Sequence, residues 1–278
     1  MEHYLNGYKQ FLENTSKSPH TIKQYVLDAK HFIHFWTQHA ENDFSSILSH
    51  FRNDLMVNYH NSNSINRKLA GTHKFVRFLY DRAYISSYNE TIFEPIDKTI
   101  VDLIHLSNNE IATIYQSLNK LIEIADEPEH EFLAKRHLAL FTIFITTGIK
   151  PIECVKMKWV HVQEERLIIP QKLQPRIIPM PRQVYETLIE LKDVSEVIFG
   201  EQPYVWLGIG NKKGDSITEK TIERFFMMLS EMVNFKVTAT MCRYTVIDAQ
   251  QKNDIFAQIG YSRKDVLTER LKKLNNHK

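Results

Sequence analysis

Apolar positions recur mostly at three- and four-residue steps, the spacing that gathers them on one face of a helix. Tyr4, Tyr8, Phe11 and Leu12 open the series. In "SKSPHTIKQYVLDAKHFIHFW", Ser18 supplies an N-cap and Pro19 a first helical position. Ile22, Tyr25, Val26, Ala29 and Phe32 or Ile33 then form the stripe. "FSSILSHFRNDLMVNYH" and "SINRKLAGTHKFVRFLYDRA" predict two further helices, with the polar "NSNS" as the loop between them. The pattern predicts a small helical bundle of roughly ninety residues.

Periodicity lapses in "ISSYNETIFEPIDKTIVDLIHLSNNE", which also carries a proline. We expect a linker there, over 91–105, between a domain at 1–90 and a second at 106–278. Helix resumes in "SNNEIATIYQSLNKLIEIA", with Ser107 or Asn108 as cap and Glu110 in the first turn. "KRHLALFTIFITTG" predicts a buried helix closed by Gly148. Three β-branched runs follow, "RLIIP", "PRIIPMP" and "SEVIFG"; the first two flank "QKLQ" and predict a hairpin. "SITEKTIERFFMMLSEM" predicts a helix capped by Ser216 or Thr218, and short helices lead to the C-terminus. The fold class expected is mostly α, a helical bundle followed by an α-rich domain with a small β-hairpin or sheet.

Composition narrows the partners. The chain has 278 residues, 43% hydrophobic and 24% charged, which suits a core-forming protein. Its net charge of +2, with thirteen histidines, is far from that of a nonspecific nucleic-acid coater. Binding to a polyanion must then come from local patches. The start is amphipathic and charged, unlike a secretory signal, and "HLALFTIFITTGI" is too short to span a bilayer. Cys154 and Cys242 stand alone, which suggests neither a zinc site nor a disulfide framework. His31 and His34 lie beside apolar residues without acids at ligand spacing, so no metal is expected. The expected location is cytoplasmic.

Two clusters carry candidate chemistry. In "KVTATMCRYTVIDA", Arg243 stands among small and apolar residues, and a buried arginine needs an anion or a carboxylate. Glu153 and Asp248 are candidate acids, and a phosphate is the other option. Arg67, Lys74 and Arg77 fall at seven- and three-residue steps on one helix face, flanked by Lys68 and His73. Ile65, Leu69, Val76 and Leu79 line another face. Such a helix suits docking on a nucleic-acid backbone, or is an ordinary solvated face. Lys23, near Thr21, adds a further candidate backbone contact.

The order of these elements resembles the tyrosine recombinase (phage integrase) family over nearly the whole chain. "SPHTIKQYVLDAKHFIHFW" and "SINRKLAGTHKFVRFLYDRAYI" resemble the first and last parts of that family's core-binding, SAM-like domain. "TTGIKPIECVKMKWVHVQEERLIIP" is similar to the T-G-L-R-x-x-E-L motif that opens its catalytic domain. "VTATMCRYT" is similar to the T-P-H-x-L-R-H-T box, and "FAQIGYS" sits where the family has L-G-H-S. The resemblance implies two arginines that clamp a scissile phosphate, a tyrosine that attacks it, and histidine and hairpin lysine in acid–base roles. Here the first arginine matches Lys150, a point charge without the bidentate fork. Glu153 matches the acidic neighbour, the box histidine matches Thr240, and the second arginine is kept as Arg243. The hairpin lysine falls at Gln171 or Lys172, and the L-G-H histidine matches Tyr261. The nucleophile belongs about ten residues beyond Gly260, where "SRKDVLTERLKKLNNHK" contains no tyrosine.

The resemblance thus implies a DNA-binding relative with a decayed catalytic set, a vestigial phosphate pocket of Lys150, Lys172, Thr240, Arg243 and Tyr261. Its DNA-binding set is Thr21, Lys23, Arg67, Lys68, Lys74 and Arg77, its partner is double-stranded DNA, and no cofactor is expected. Two alternatives stay open: an active recombinase using Tyr261 or a partner's tyrosine, and a protein–protein module that kept only the fold. Val266, Leu267, Leu271 and Leu274 in the terminal segment fit docking on a second copy or a recombinase partner.

Overall fold

The computed structural model describes residues 2–39, 43–97, 104–171 and 174–249. It divides into two compact units, Met1–Val101 and Asp102–Lys278.

The N-terminal unit is built on α1 (Glu2–Glu13), α2 (Pro19–Gln38), α3 (Phe44–Asn58) and α4 (Ser62–Asp81). Side-chain acceptors start three of these helices. Ser18 Oγ accepts from the Thr21 amide at 3.2 Å, Asp43 from the Ser46 amide at 3.0 Å, and Asn61 from the Asn63 amide at 2.9 Å. The expected "NSNS" loop is therefore mostly helix: Asn61 is the cap and Ser62 begins α4. An Asn or Ser before a helical stripe satisfies the first amides of a helix as readily as it makes a loop.

The core of this unit is aromatic. Tyr8, Phe32, Phe51 and Phe75 are fully enclosed, with Leu12, Leu55 and Leu79 between them. Each such side chain contributes about 1.5–3 kcal/mol by leaving water. Ile65, Leu69, Val76 and Leu79 of α4 all face inward, as their spacing requires. One charge is buried among them. Asp28 of α2 is 2% exposed and accepts from Arg67 Nη1 at 2.7 Å. Gly71 makes room for it, since a Cβ there would lie 2.3 Å from Asp28 Oδ2.

The segment expected to begin a linker at 91 is folded onto this unit. Residues Glu90–Phe93 form a 3-10 turn with Phe93 buried, and the Phe93 ring stacks on His73 at 4.7 Å. Arg52 Nη1 donates to the carbonyls of Ile92 and Glu94. Asn66 brackets Ile96, donating to its carbonyl at 2.9 Å and accepting from its amide at 2.8 Å. Irregular backbone has no period to detect, so side chains of α3 and α4 hold what the hydrophobic pattern could not mark.

The C-terminal unit contains α5 (Asn108–Glu123), α6 (Pro128–Thr147), a one-turn α7 (Pro151–Cys154), and strands β1 (Val162–Gln163), β2 (Arg166–Ile169) and β3 (Arg176–Pro179). α8 (Arg182–Phe199), α9 (Glu219–Val233) and α10 (Ala239–Ala249) complete the described part. Ser107 and Glu110 close a reciprocal capping box on α5, and Thr218 caps α9. α6 is the central helix: Phe132, Leu140, Phe141, Ile143 and Phe144 are fully enclosed. α5, α8 and α10 pack around it.

The sheet is antiparallel in the order β1-β2-β3, with Leu167 opposite Ile178 and Ile169 opposite Arg176. The expected hairpin is thus present. The third β-branched run, "SEVIFG", is helical instead and forms the last turns of α8. Val184, Leu188, Leu191 and Ser195 are buried at helical steps, and that long stripe overrides the local preference of Val197 and Ile198.

Candidate functional site

The site grows from the end of α6. Gly148 ends that helix in a left-handed conformation (φ +61°), and its amide donates to the Phe144 carbonyl at 3.1 Å. A glycine suits the turn because a side chain there is strained. The Gly148 carbonyl in turn accepts from Arg243 Nη1 at 2.6 Å, which ties α10 to the end of α6. Arg243 is 8% exposed.

Two residues on, Lys150 caps the α7 turn with Pro151 in the first helical position. Glu153 reaches back and accepts from the Lys150 amide at 2.8 Å. The same carboxylate accepts from Arg176 Nη2 at 2.7 Å, while Lys150 Nζ lies 3.9 Å from its other oxygen. Arg176 faces inward because strand parity puts it on the side of Ile178, with Ile177 turned out. Its side chain is 5% exposed, and its Nε and Nη1 are buried with no hydrogen-bond partner.

Lys150 and Arg176 therefore share one carboxylate, and Arg243 stands close enough to Lys150 to repel its charge. Burial lowers the Lys150 pKa below its usual value, and repulsion from Arg243 and Arg176 adds to this, offset in part by Glu153. An electropositive, half-enclosed group of this kind favours an anion. Guanidinium and ammonium donors at this spacing suit a phosphate's oxygens. Among the described residues no cluster of histidine, cysteine, aspartate or glutamate could hold a metal ion.

The other expected residues fall as follows. Thr240 is exposed on the first turn of α10 and lines an open groove of about 830 Å³ with Pro151, Ile222, Phe226 and Met227. Lys172 and Tyr261, and the terminal segment 262–278, lie outside the described residues. Gln171 is described and exposed. In the N-terminal unit, Arg67 is bound to Asp28, Lys68 Nζ sits 4.7 Å over the Tyr59 ring, and Thr21 joins the Ser18 cap through its amide and hydroxyl. Lys23 and Arg77 are exposed and Lys74 is half-buried.

Residues 5–83 match the family model "Phage integrase, N-terminal SAM-like domain". Tyrosine recombinase XerC of Halalkalibacterium halodurans is 27% identical over 146 residues, 51% of this chain and 45% of that protein. XerC of Rickettsia canadensis is 22% identical over 227 residues, 77% of this chain and 72% of that protein. Among solved structures, residues 75–356 of lambda integrase, as a dimer bound to a COC′ core site, superpose with a TM-score of 0.70. That match is 16% identical and covers 97% of this chain and 94% of that one. XerH recombinase in a post-cleavage complex with palindromic difH gives a TM-score of 0.73 at 14% identity, covering 92% and 77%.

Residues 5–83 thus match the N-terminal domain of phage integrases, and the chain shares the fold of the tyrosine recombinases.

Of the positions that the tyrosine recombinase motifs mark, Lys150, Glu153 and Arg243 are brought together. Arg176 is the residue that sequence reasoning missed. Two signals pointed to it: an arginine on the buried parity of "PRIIPM", and a nearby acid, Glu153, that required a cation. Glu153 had been weighed as a partner for Arg243; its short bond goes to Arg176.

Proposed function

We propose that this chain binds duplex DNA through a phosphate-accepting pocket on its C-terminal unit and does not itself cleave the strand. The observation that carries the binding half is that Arg176 and Lys150 meet at Glu153 while Arg243 stands close enough to Lys150 to repel it, three cations in one half-enclosed place. Exposed Lys23, Arg77 and half-buried Lys74 add sequence-independent backbone contacts from the N-terminal unit. Arg67 is better read as structural, because Asp28 already neutralises it. The relatives whose structures superpose are described on DNA, which supports the same partner here.

The non-cleaving half rests on residue types. Attack on phosphorus needs a nucleophile, and 262–278 offers no tyrosine. Threonine at position 240 has no acid–base capacity near neutral pH, a loss worth about 10²–10⁴-fold in general acid–base catalysis. Lysine at 150 gives the developing charge one point contact in place of a fork.

Two measurements test this. Fluorescence anisotropy with random-sequence duplex at low salt should show binding that Lys150→Met weakens; no binding removes the DNA half. A nicked suicide duplex should leave no SDS-stable protein–DNA adduct. An adduct that Tyr261→Phe abolishes would establish the active reading instead. Docking of the terminal segment on a second copy is proposed from Val266, Leu267, Leu271 and Leu274, and sedimentation with and without 262–278 checks it.

A further inference from the structure

We infer that the groove between α1 and α2 is a docking site for an amphipathic helix of a partner protein, one that carries acids along the edge facing α2. Lys23 is the only residue this site shares with the DNA-binding reading above.

Leu5 and Lys9 of α1 face Ile22, Val26 and Leu27 of α2 across an open cavity of about 760 Å³. A second cavity of about 290 Å³ extends it along α2 to Thr37, sharing Glu2, Leu5 and Lys30 with the first. The groove thus follows α2 from Pro19 to Thr37, about five turns, which is the length of an ordinary docking helix. Its floor is apolar: Leu5, Ile22 and Val26 are half-buried, and Leu27 is 47% exposed. Apolar positions at three- and four-residue steps accept the ridge of a third helix. A nucleic-acid backbone would meet the lysines but leave that floor in water, so the fit is to protein. Charge then sets the partner's polarity. The α2 wall carries Lys23 and Lys30, exposed and two turns apart on one face, with His34 beyond them. Among the described residues neither lysine has an ion-pair partner. On the α1 wall Lys9 reaches Glu13 at 3.7 Å, which leaves Glu2 over. The two walls therefore differ in sign. A helix lying between them satisfies both with acids seven residues apart on its α2 side and a neutral or basic α1 side.

Two synthetic amphipathic peptides of about five helical turns test this. They share one leucine stripe and differ on the edge beside it, glutamate in one and lysine in the other. Binding of each labelled peptide to the full chain, without DNA, is read by fluorescence anisotropy. The glutamate peptide should bind about 10-fold tighter than the lysine peptide at low salt, and the preference should shrink as salt rises. Lys23→Glu combined with Lys30→Glu should reverse the preference. Leu27→Asp should weaken the glutamate peptide about 10-fold, because it puts a charge on the apolar floor. Each variant is first shown to keep the wild-type thermal transition. Equal binding of the two peptides, or none by either, overturns the inference. So does an unchanged affinity in Leu27→Asp, which would place the peptide elsewhere. A lysine double variant that loses duplex binding but keeps the glutamate preference overturns it too, and assigns those lysines to DNA. Self-association of the wild-type chain that Leu27→Asp abolishes gives the groove to a second copy instead. Should Leu27→Asp not fold, the charge-reversed double variant carries the test, since both lysines stand on the surface.

Discussion

Gly71→Ala should destabilise the N-terminal unit, although alanine is the better helix former by about 1 kcal/mol. The reason is steric and electrostatic at once. The new methyl would stand 2.3 Å from Asp28 Oδ2 and 2.9 Å from its Cβ and Cγ. Relief requires about 1 Å of movement in a carboxylate that is only 2% exposed. The same oxygen receives the Arg67 bond at 2.7 Å, so moving it costs that bond too. Over-packing contributes about 1–3 kcal/mol and a charge-assisted bond about 1.5–3 kcal/mol. Arg67 is 43% exposed, so water replaces part of what it loses and the lower end of that second range applies. Less the helix gain, the net cost is about 1.5–3.5 kcal/mol. Urea unfolding read by amide exchange in α2 and α4 measures it without interference from the other unit. Asp28→Ala should make Gly71→Ala cheaper, since the oxygen at 2.3 Å is then gone. A Gly71→Ala chain as stable as wild type, or costs that simply add in the double variant, would refute the argument.

Two further outcomes follow from the same coordinates. His137 is half-buried with its ring stacked on Phe225, and desolvation lowers its pKa to about 4. The native state keeps this ring neutral while the unfolded chain protonates it near pH 6.5, so its stability contribution is complete above that pH and is lost as pH falls toward 4. Denaturant unfolding should show a loss of about 3 kcal/mol over that window, and His137→Phe should reduce the pH dependence. Arg52→Ala should release residues 90–97 from α3, seen as faster amide exchange there with α4 unchanged; exchange as slow as wild type would show that Phe93 and Asn66 suffice.

The helices were legible because burial imposes a period, and their ends were legible where a side chain caps them. Ser18, Ser107, Thr218 and Gly148 each stand where the cap chemistry requires. Two features escaped for contrasting reasons. The 90–97 segment is held by Arg52 and Asn66 from distant helices, a tertiary cause that leaves no local trace. The end of α8 has β-branched residues on a helix whose buried stripe starts a dozen positions earlier, so a short window misjudged it. At the site, Lys150, Glu153 and Arg243 were legible through motif order. Arg176 was not, because its role depends on strand parity and on which acid the fold brings opposite. Arg67 went the other way: its place on the basic face was visible, but its buried partner Asp28 lies 39 positions away.

Asp28 and Glu153 show how one arrangement gives two outcomes. Each is an acid enclosed by the fold and joined at 2.7 Å to an arginine. Around Asp28 the charges balance, since Arg67 is its ion-pair partner and Gln24 adds a neutral donor at 3.4 Å. A balanced pair inside a bundle fixes α2 against α4 and has little pull on a distant phosphate. Around Glu153 two cations share one carboxylate, Arg176 at 2.7 Å and Lys150 at 3.9 Å. At an effective dielectric of about 20, a unit charge about 4 Å away is worth about 4 kcal/mol, so a second cation on the same carboxylate adds to the pull on an anion. Arginine content therefore does not separate the structural cluster from the binding one. The ratio of cations to the acid they share does, and in this chain that ratio changes between the two units.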